Sequence, residues 1–142
     1  MAGIVALLAA VALTVVVAWV LKARNGRFAE QLPRADQAGL TADDIGTELG
    51  ERATLVQFSS AFCSPCRATR VLLTDIAAKV DGVVAVDIDA EEHLDLVRRF
   101  GIMRTPTVLV LDADGAISTR ASGLPRREQV LVALGQAVGE PR

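Results

Sequence analysis

The pattern of apolar and polar positions divides the chain into one long apolar run and a region of short alternating segments. Residues 2–21 form a run of twenty residues without a charged side chain. As a helix this run would be about 30 Å long, which matches the hydrocarbon thickness of a bilayer. We therefore predict a transmembrane anchor over residues 1–21, a linker over residues 22–39 and one domain over residues 40–142.

A cleavable signal peptide is the alternative for the apolar run. No Lys or Arg precedes the run, the run is longer than the core of a signal peptide, and no small-x-small cleavage site follows it directly. Trp19 lies near the end of the run, where aromatic residues are common at the membrane interface. These features favour an anchor that is not cleaved.

Beyond residue 40, short apolar runs alternate with segments of helical periodicity, which is typical of an α/β domain. We predict strands at residues 53–58, 83–88, 107–111 and 116–122, and helices at 41–49 with Thr41 as its cap, from Cys63 to near 81, at about 91–100 and after Pro125. A strand, helix and strand in succession imply a right-handed crossover between parallel neighbours. The turn at residues 112–115 predicts an antiparallel hairpin. The result is a central mixed sheet with residues 107–111 in its middle.

The two cysteines of the 142-residue chain, Cys63 and Cys66, lie where a predicted strand passes into a predicted helix. Two intervening residues, Ser64 and Pro65, allow both sulfurs to occupy the first helical turn, where a disulfide can close. The free N–H groups and the positive dipole end of a helix favour a thiolate, and Cys63 is nearer that end. We interpret Cys63 as the nucleophile and Cys66 as the resolving thiol in disulfide exchange.

The cysteine pair has two alternative interpretations. A structural zinc ion needs about four ligands, and His93 is the one further nitrogen ligand, so zinc would require a site shared across a dimer. A purely structural disulfide would restrain little chain entropy in so short a loop. We predict no metal and no organic cofactor.

Charge distribution bears on location and partners. Lys22, Arg24 and Arg27 follow the apolar run, so the positive-inside rule places the domain in the cytoplasm. Residues 40–142 carry eleven Lys or Arg against fifteen Asp or Glu, and no basic patch indicates nucleic-acid binding. Arginine outnumbers lysine thirteen to two, which is consistent with a G+C-rich bacterium. We expect a single-pass protein of the bacterial cell membrane.

Three segments of the domain resemble the thioredoxin family. Residues 62–67 are similar to the aromatic-Cys-Gly-Pro-Cys-Lys site of the family, residues 101–107 resemble the segment that brings a cis-proline beside the cysteines, and Gly123 lies where the family often has a glycine. The resemblance covers most of residues 40–138 and implies a three-layer thioredoxin-like fold. It also implies that Thr105 and Pro106 form one wall of the substrate groove and that Phe62 forms its rim.

The chain departs from the family pattern around the cysteines. Gln57 replaces a buried acid, Ser59 replaces a tryptophan, and Ala85 is interpreted as the replacement of the lysine that accompanies the acid. A missing acid should ease ionisation of the cysteine pair and deprive Cys66 of a proton acceptor. His93 is remote from the cysteines in sequence, and we interpret it as a solvent-exposed residue without a catalytic role.

The function predicted from these features is reduction of protein disulfides by a membrane-anchored oxidoreductase. Its partners would be proteins that contain disulfides and an electron donor, either a reductase or another thiol protein. One alternative is an outward-facing thiol oxidoreductase that serves oxidative folding or cytochrome assembly. Another is an adaptor that uses the fold for binding and leaves its cysteines idle.

Overall fold

A computed structural model of the protein describes residues 1–24, 26, 28–30 and 39–139. Within these described residues, ten elements follow one another. They are α1 (Ala2–Arg24), β1 (Phe28–Glu30), α2 (Ala42–Ile45), β2 (Ala53–Ser59), α3 (Ser64–Lys79), β3 (Val83–Asp89), α4 (Leu94–Arg99), β4 (Thr107–Asp112), β5 (Ile117–Ser122) and α5 (Arg127–Gly139).

Helix α1 contains the predicted span and continues to Arg24. It is long and apolar enough to cross a membrane, and none of its residues is buried in the protein. Lys22 and Arg24 lie in its last turn, where positive charge is favourable at the negative end of the helix dipole. A helix of this kind is compatible with a membrane anchor and with a signal sequence.

The sheet has the order β1-β5-β4-β2-β3. Strands β2 and β3 are parallel, and the other neighbouring pairs are antiparallel. The predicted mixed sheet is therefore confirmed, and the apolar run at residues 107–111 is its middle strand. Helix α3 connects the parallel pair, so the polypeptide leaves the end of β2 at the cysteines and returns to the start of β3.

Side chains alternate across β4 and build one apolar core on each face of the sheet. Val108 and Val110 pack with α3 and α5, whereas Leu109 and Leu111 pack in the second core with α2 and α4. All four side chains are at most 1% exposed. Burial on both faces explains why this strand has no polar alternation, and it gives the three-layer arrangement of helices, sheet and helices.

Helices α2 and α4 are shorter than the sequence pattern predicts. Thr41 caps α2 as predicted, and its hydroxyl and backbone N–H both donate to the Asp44 carboxylate. Burial alone would raise the pKa of Asp44, but these hydrogen bonds and the charge of Arg99 hold it below the ordinary value of 3.8. The Asp44–Arg99 ion pair, with atoms 3.1 Å apart, joins α2 to the end of α4.

Strand β1 lies within the predicted linker, where the sequence pattern predicts no strand. Phe28 is opposite Ala121 of β5, and the pairing is antiparallel. Three residues are too few for a periodic signal, and the strand forms because the outer edge of β5 offers unpaired backbone groups. Most of the remaining linker, residues 25, 27 and 31–38, lies outside the described residues, as does the domain's end at residues 140–142.

Candidate active site

The cysteine pair lies at the start of α3, directly after the loop that leaves β2. Cys63 is the N-cap residue of α3, and the backbone N–H of Cys66 donates to Cys63 Sγ at 3.2 Å. The two cysteines form a disulfide with a Cα–Cα distance of 5.2 Å. The prediction that the two sulfurs lie close together is therefore confirmed. The backbone N–H of the first helical turn is directed at the sulfur of Cys63.

The two sulfurs differ in exposure. Cys66 is 1% exposed, whereas Cys63 is half-buried. The ring of Phe62 next to it is fully exposed. A partner sulfur can therefore approach Cys63 and not Cys66, which is the asymmetry that a nucleophilic and a resolving thiol require.

The Thr105–Pro106 segment lies beside the cysteine loop. The Thr105–Pro106 peptide bond is cis, as the resemblance implied. Ser60 Oγ and Thr105 Oγ1 are 3.0 Å apart and share a hydrogen bond, which ties the cysteine loop to the proline loop. Ser60 was not predicted as a site residue, because no pattern along the chain places it opposite a residue 45 positions away.

An exposed methionine was also missed. Met103 belongs to the loop that leads to Pro106, and its side chain is 91% exposed. Exposed large apolar side chains often mark contact surfaces. Met103 and Phe62 are therefore candidates for contacts with a bound substrate, together with the backbone of Thr105.

A polar cleft of about 420 Å³ opens on the other side of the disulfide. Both cysteines line it, together with the loop after β2, the start of α3, and the end of β3 with the segment that follows. His93 lies in this cleft, with Nδ1 3.0 Å from the backbone oxygen of Asp89. His93 is half-buried and not solvent-exposed as we expected, because parallel pairing brings the ends of β2 and β3 to the same end of the sheet. Its lack of a catalytic role stays a prediction.

Comparison with known proteins identifies the domain. A family model described as thioredoxin matches residues 40–135. The chain belongs to the thioredoxin family. The matched region is a thioredoxin-type oxidoreductase domain with its cysteine pair close together, and the remaining comparisons agree with it.

Similar proteins include a thioredoxin of Alicyclobacillus acidocaldarius subsp. acidocaldarius, 33% identical over 82 residues that are 57% of this chain and 77% of that protein. Thioredoxin domain-containing protein 2 of Homo sapiens is 29% identical over 86 residues, which are 61% of this chain and 16% of the human protein. The chain therefore spans less than a fifth of that relative. A mutant thioredoxin from Halobacterium salinarum NRC-1 has the same fold, with a TM-score of 0.59, 22% identity, and coverage of 70% of this chain and 85% of that one.

Gln57 occupies the buried position under the cysteine pair of this thioredoxin domain. It is 1% exposed, and its Nε2 donates to the backbone oxygen of Cys66 at 2.8 Å. Its Oε1 has no hydrogen-bond partner among the described residues. Gln57 therefore holds the start of α3 against β2 without placing a charge beneath the sulfurs.

The residue opposite Gln57 on β3 is Asp87. Ala85, which we interpret as the replacement of the family's lysine, lies two residues earlier and is opposite Leu55. That interpretation stays a prediction. The Asp87 carboxylate forms an ion pair with Arg70 of α3, with Arg70 Nε 2.8 Å from Asp87 Oδ2. A paired carboxylate thus lies in the cleft beside a neutral buried amide.

Replacing Gln57 with aspartate should make the cysteine pair harder to ionise. A buried carboxylate opposes a nearby thiolate, so we expect the midpoint of Cys63 alkylation against pH to rise by about one unit. Iodoacetamide trapping of the reduced protein over a pH series would measure this midpoint. Gln57→Leu is the matched control, since it removes the hydrogen bond to Cys66 without adding charge. An unchanged or lower midpoint in Gln57→Asp would contradict the prediction.

Proposed function

We propose that the protein is a membrane-anchored thioredoxin that reduces protein disulfides with Cys63 and Cys66. The observation that carries this proposal is the cysteine pair at the start of α3, with Cys63 accessible and Cys66 buried beneath it. The exposed ring of Phe62 and the half-buried Thr105, next to the buried cis-proline Pro106, support a protein substrate that binds as an extended segment.

The reaction begins with the dithiol form of the protein. The Cys63 thiolate attacks one sulfur of the substrate disulfide, that bond breaks, and the leaving sulfur takes a proton from solvent. Cys66 then loses its proton and attacks Cys63, which releases the second substrate thiol and closes the Cys63–Cys66 disulfide. Two electrons and two protons pass to the substrate. An external dithiol, supplied by a reductase or another thiol protein, reduces the pair for the next cycle.

We further propose that α1 remains in a bacterial cell membrane and that the domain is cytoplasmic. The cluster Lys22, Arg24 and Arg27 after the apolar run supports this orientation. A reducing cytoplasm would favour the reductive direction. The opposite orientation would favour an outward-facing oxidoreductase. A reporter that is active only in the cytoplasm, fused after Arg142, distinguishes these two functions. Reporter activity would support the cytoplasmic orientation that we propose.

A stoichiometric assay tests the reductive chemistry. Fully reduced protein, freed of small thiols, should reduce one insulin disulfide per chain and then stop, because one cysteine pair carries two electrons. Added dithiothreitol should restore continuous turnover. A protein that stays reduced in the presence of insulin would contradict the proposed activity and would favour the adaptor.

A further inference from the structure

Among the described residues, contact with the domain begins at Gly26, two positions after the end of α1. Gly26 is buried, and its backbone N–H donates to the oxygen of Ser122 at 2.7 Å. Its φ is +72°, and a Cβ there would lie 2.0 Å from the oxygen of Leu124. A glycine is therefore required for this close approach. The chain is part of the folded domain two residues after Arg24.

Strand β1 then secures this attachment. Phe28 pairs with Ala121 and packs against the apolar core formed by α3, α5 and the sheet. Partial burial of this aromatic side chain removes apolar surface from water, so the strand is held by packing as well as by its backbone hydrogen bonds. The end of α1 therefore has a defined position relative to the sheet.

That position is at the end of the sheet where the active site lies, which is formed by the start of β4 and the end of β5. Ser122, which binds Gly26, is opposite Thr107, the residue after Pro106. The next residue, Gly123, donates its N–H to the oxygen of Pro106 at 2.7 Å. Gly26 and Pro106 are thus hydrogen-bonded to Ser122 and Gly123, two consecutive residues at the end of β5.

The path from the end of α1 to the start of β4 is short compared with the size of the domain. The two residue steps from Arg24 to Gly26 span at most about 7 Å. The two strand spacings from β1 across β5 to β4 add about 10 Å. A domain of this length has a radius of gyration of about 13 Å and is therefore wider than the whole path. The wall formed by Thr105 and Pro106 consequently lies in the half of the domain nearest the end of α1.

The distribution of exposed charged side chains agrees with an active site close to the end of α1. Arg104 and Arg126 are exposed in the loops at the β4 and β5 side of this end of the sheet, as is Leu124. Acidic side chains lie on the opposite side, with Asp89 at the end of β3 and Glu91 in the segment that follows. Anionic headgroups attract exposed arginines that lie near the membrane surface. The basic side is the one closest to the anchor.

We propose that the anchor holds the cysteine pair close to the bilayer surface, so that its substrates are disulfides in membrane-proximal segments of membrane proteins. This inference rests on the proposed function, since it assigns a substrate class to the same site. A disulfide in a domain that stands far above the membrane would be out of reach, because Gly26, two positions after the end of α1, is hydrogen-bonded to the sheet.

Two membrane-bound probes can test the proposal with the full-length protein in liposomes. Each probe is a single-span peptide with one disulfide loop, placed either next to the bilayer or above a helical (EAAAK)n spacer of about 50 Å. We expect the near disulfide to be reduced at least about tenfold faster, because only that probe shares the volume reached by the site. A twelve-residue Gly/Ser spacer inserted after Arg24 adds a mean reach of about 20 Å and should remove most of this preference.

The matched control carries the same spacer between Ala113 and Asp114, in the turn between β4 and β5, and should keep the preference of the wild type. Equal rates for the two probes with the wild type, or a preference that the spacer after Arg24 does not change, would overturn the inference. Insulin reduction in detergent micelles distinguishes the two failures. If insulin is reduced normally, only the placement at the membrane is wrong; if it is not reduced, the proposed function fails and the inference fails with it.

Discussion

Replacing Cys63 with serine should abolish insulin reduction, with the rate falling at least about a hundredfold to the uncatalysed background, because a hydroxyl neither ionises near neutral pH nor forms a disulfide. Cys63 is the more exposed sulfur and the one that accepts the N–H of Cys66. A buried Cys66 cannot take over the attack. The measurement is the rate of insulin precipitation with dithiothreitol as donor.

Cys66→Ser is the matched variant, because it should fail at a different step. Cys63 can still attack, but nothing displaces the substrate, so a mixed disulfide should accumulate to about one per chain. Mass spectrometry under non-reducing conditions would detect it. If the adduct formed with Cys63→Ser and not with Cys66→Ser, the assigned roles of the two thiols would be reversed.

Replacing Phe58 with alanine should have the largest effect on stability among the residues around the site. Phe58 is fully buried at the end of β2, in the core that contains Ile88, Phe100 and Leu109. Removing a buried phenylalanine costs about 3–5 kcal/mol, which is a large part of the about 5–15 kcal/mol that stabilises a typical protein. Calorimetry of the full-length protein in detergent should show a lower unfolding temperature by more than about 10 °C.

Phe62→Ala provides the matched control for this prediction. Phe62 lies four residues later and is fully exposed. Its removal should change the free energy of unfolding by less than about 0.5 kcal/mol. It should instead raise the KM for a protein substrate, since the ring borders the proposed groove. A large loss of stability in Phe62→Ala, or none in Phe58→Ala, would contradict the stability difference that we expect from the burial of the two side chains.

Strand β4 shows why much of the fold could be predicted. An unbroken apolar run such as residues 107–111 is stable only when both faces are covered, so its central place followed from hydrophobicity alone. The N-cap at Thr41 and the helix start at Cys63 likewise depend on a few neighbouring residues. The chemistry of the cysteine pair was predictable for the same reason, since the spacing of Cys63 and Cys66 is a local property.

The parts that were missed depend on contacts between distant segments. His93 and Asp87 reach the cysteine cleft only because β2 and β3 pair in parallel and in a particular register. Ser60 meets Thr105 across 45 residues. No local periodicity contains this information.

Local sequence established three things: an apolar helix long enough for a membrane, an α/β domain with an apolar middle strand, and two cysteines spaced to close a small ring. Each follows from interactions among residues close together in the chain. The folded arrangement added which sulfur is accessible, which charges share its cleft, and that Gly26 is bound at the edge of the sheet beside Pro106. These features arise from strand register and long-range packing, which bring together residues that the chain holds far apart.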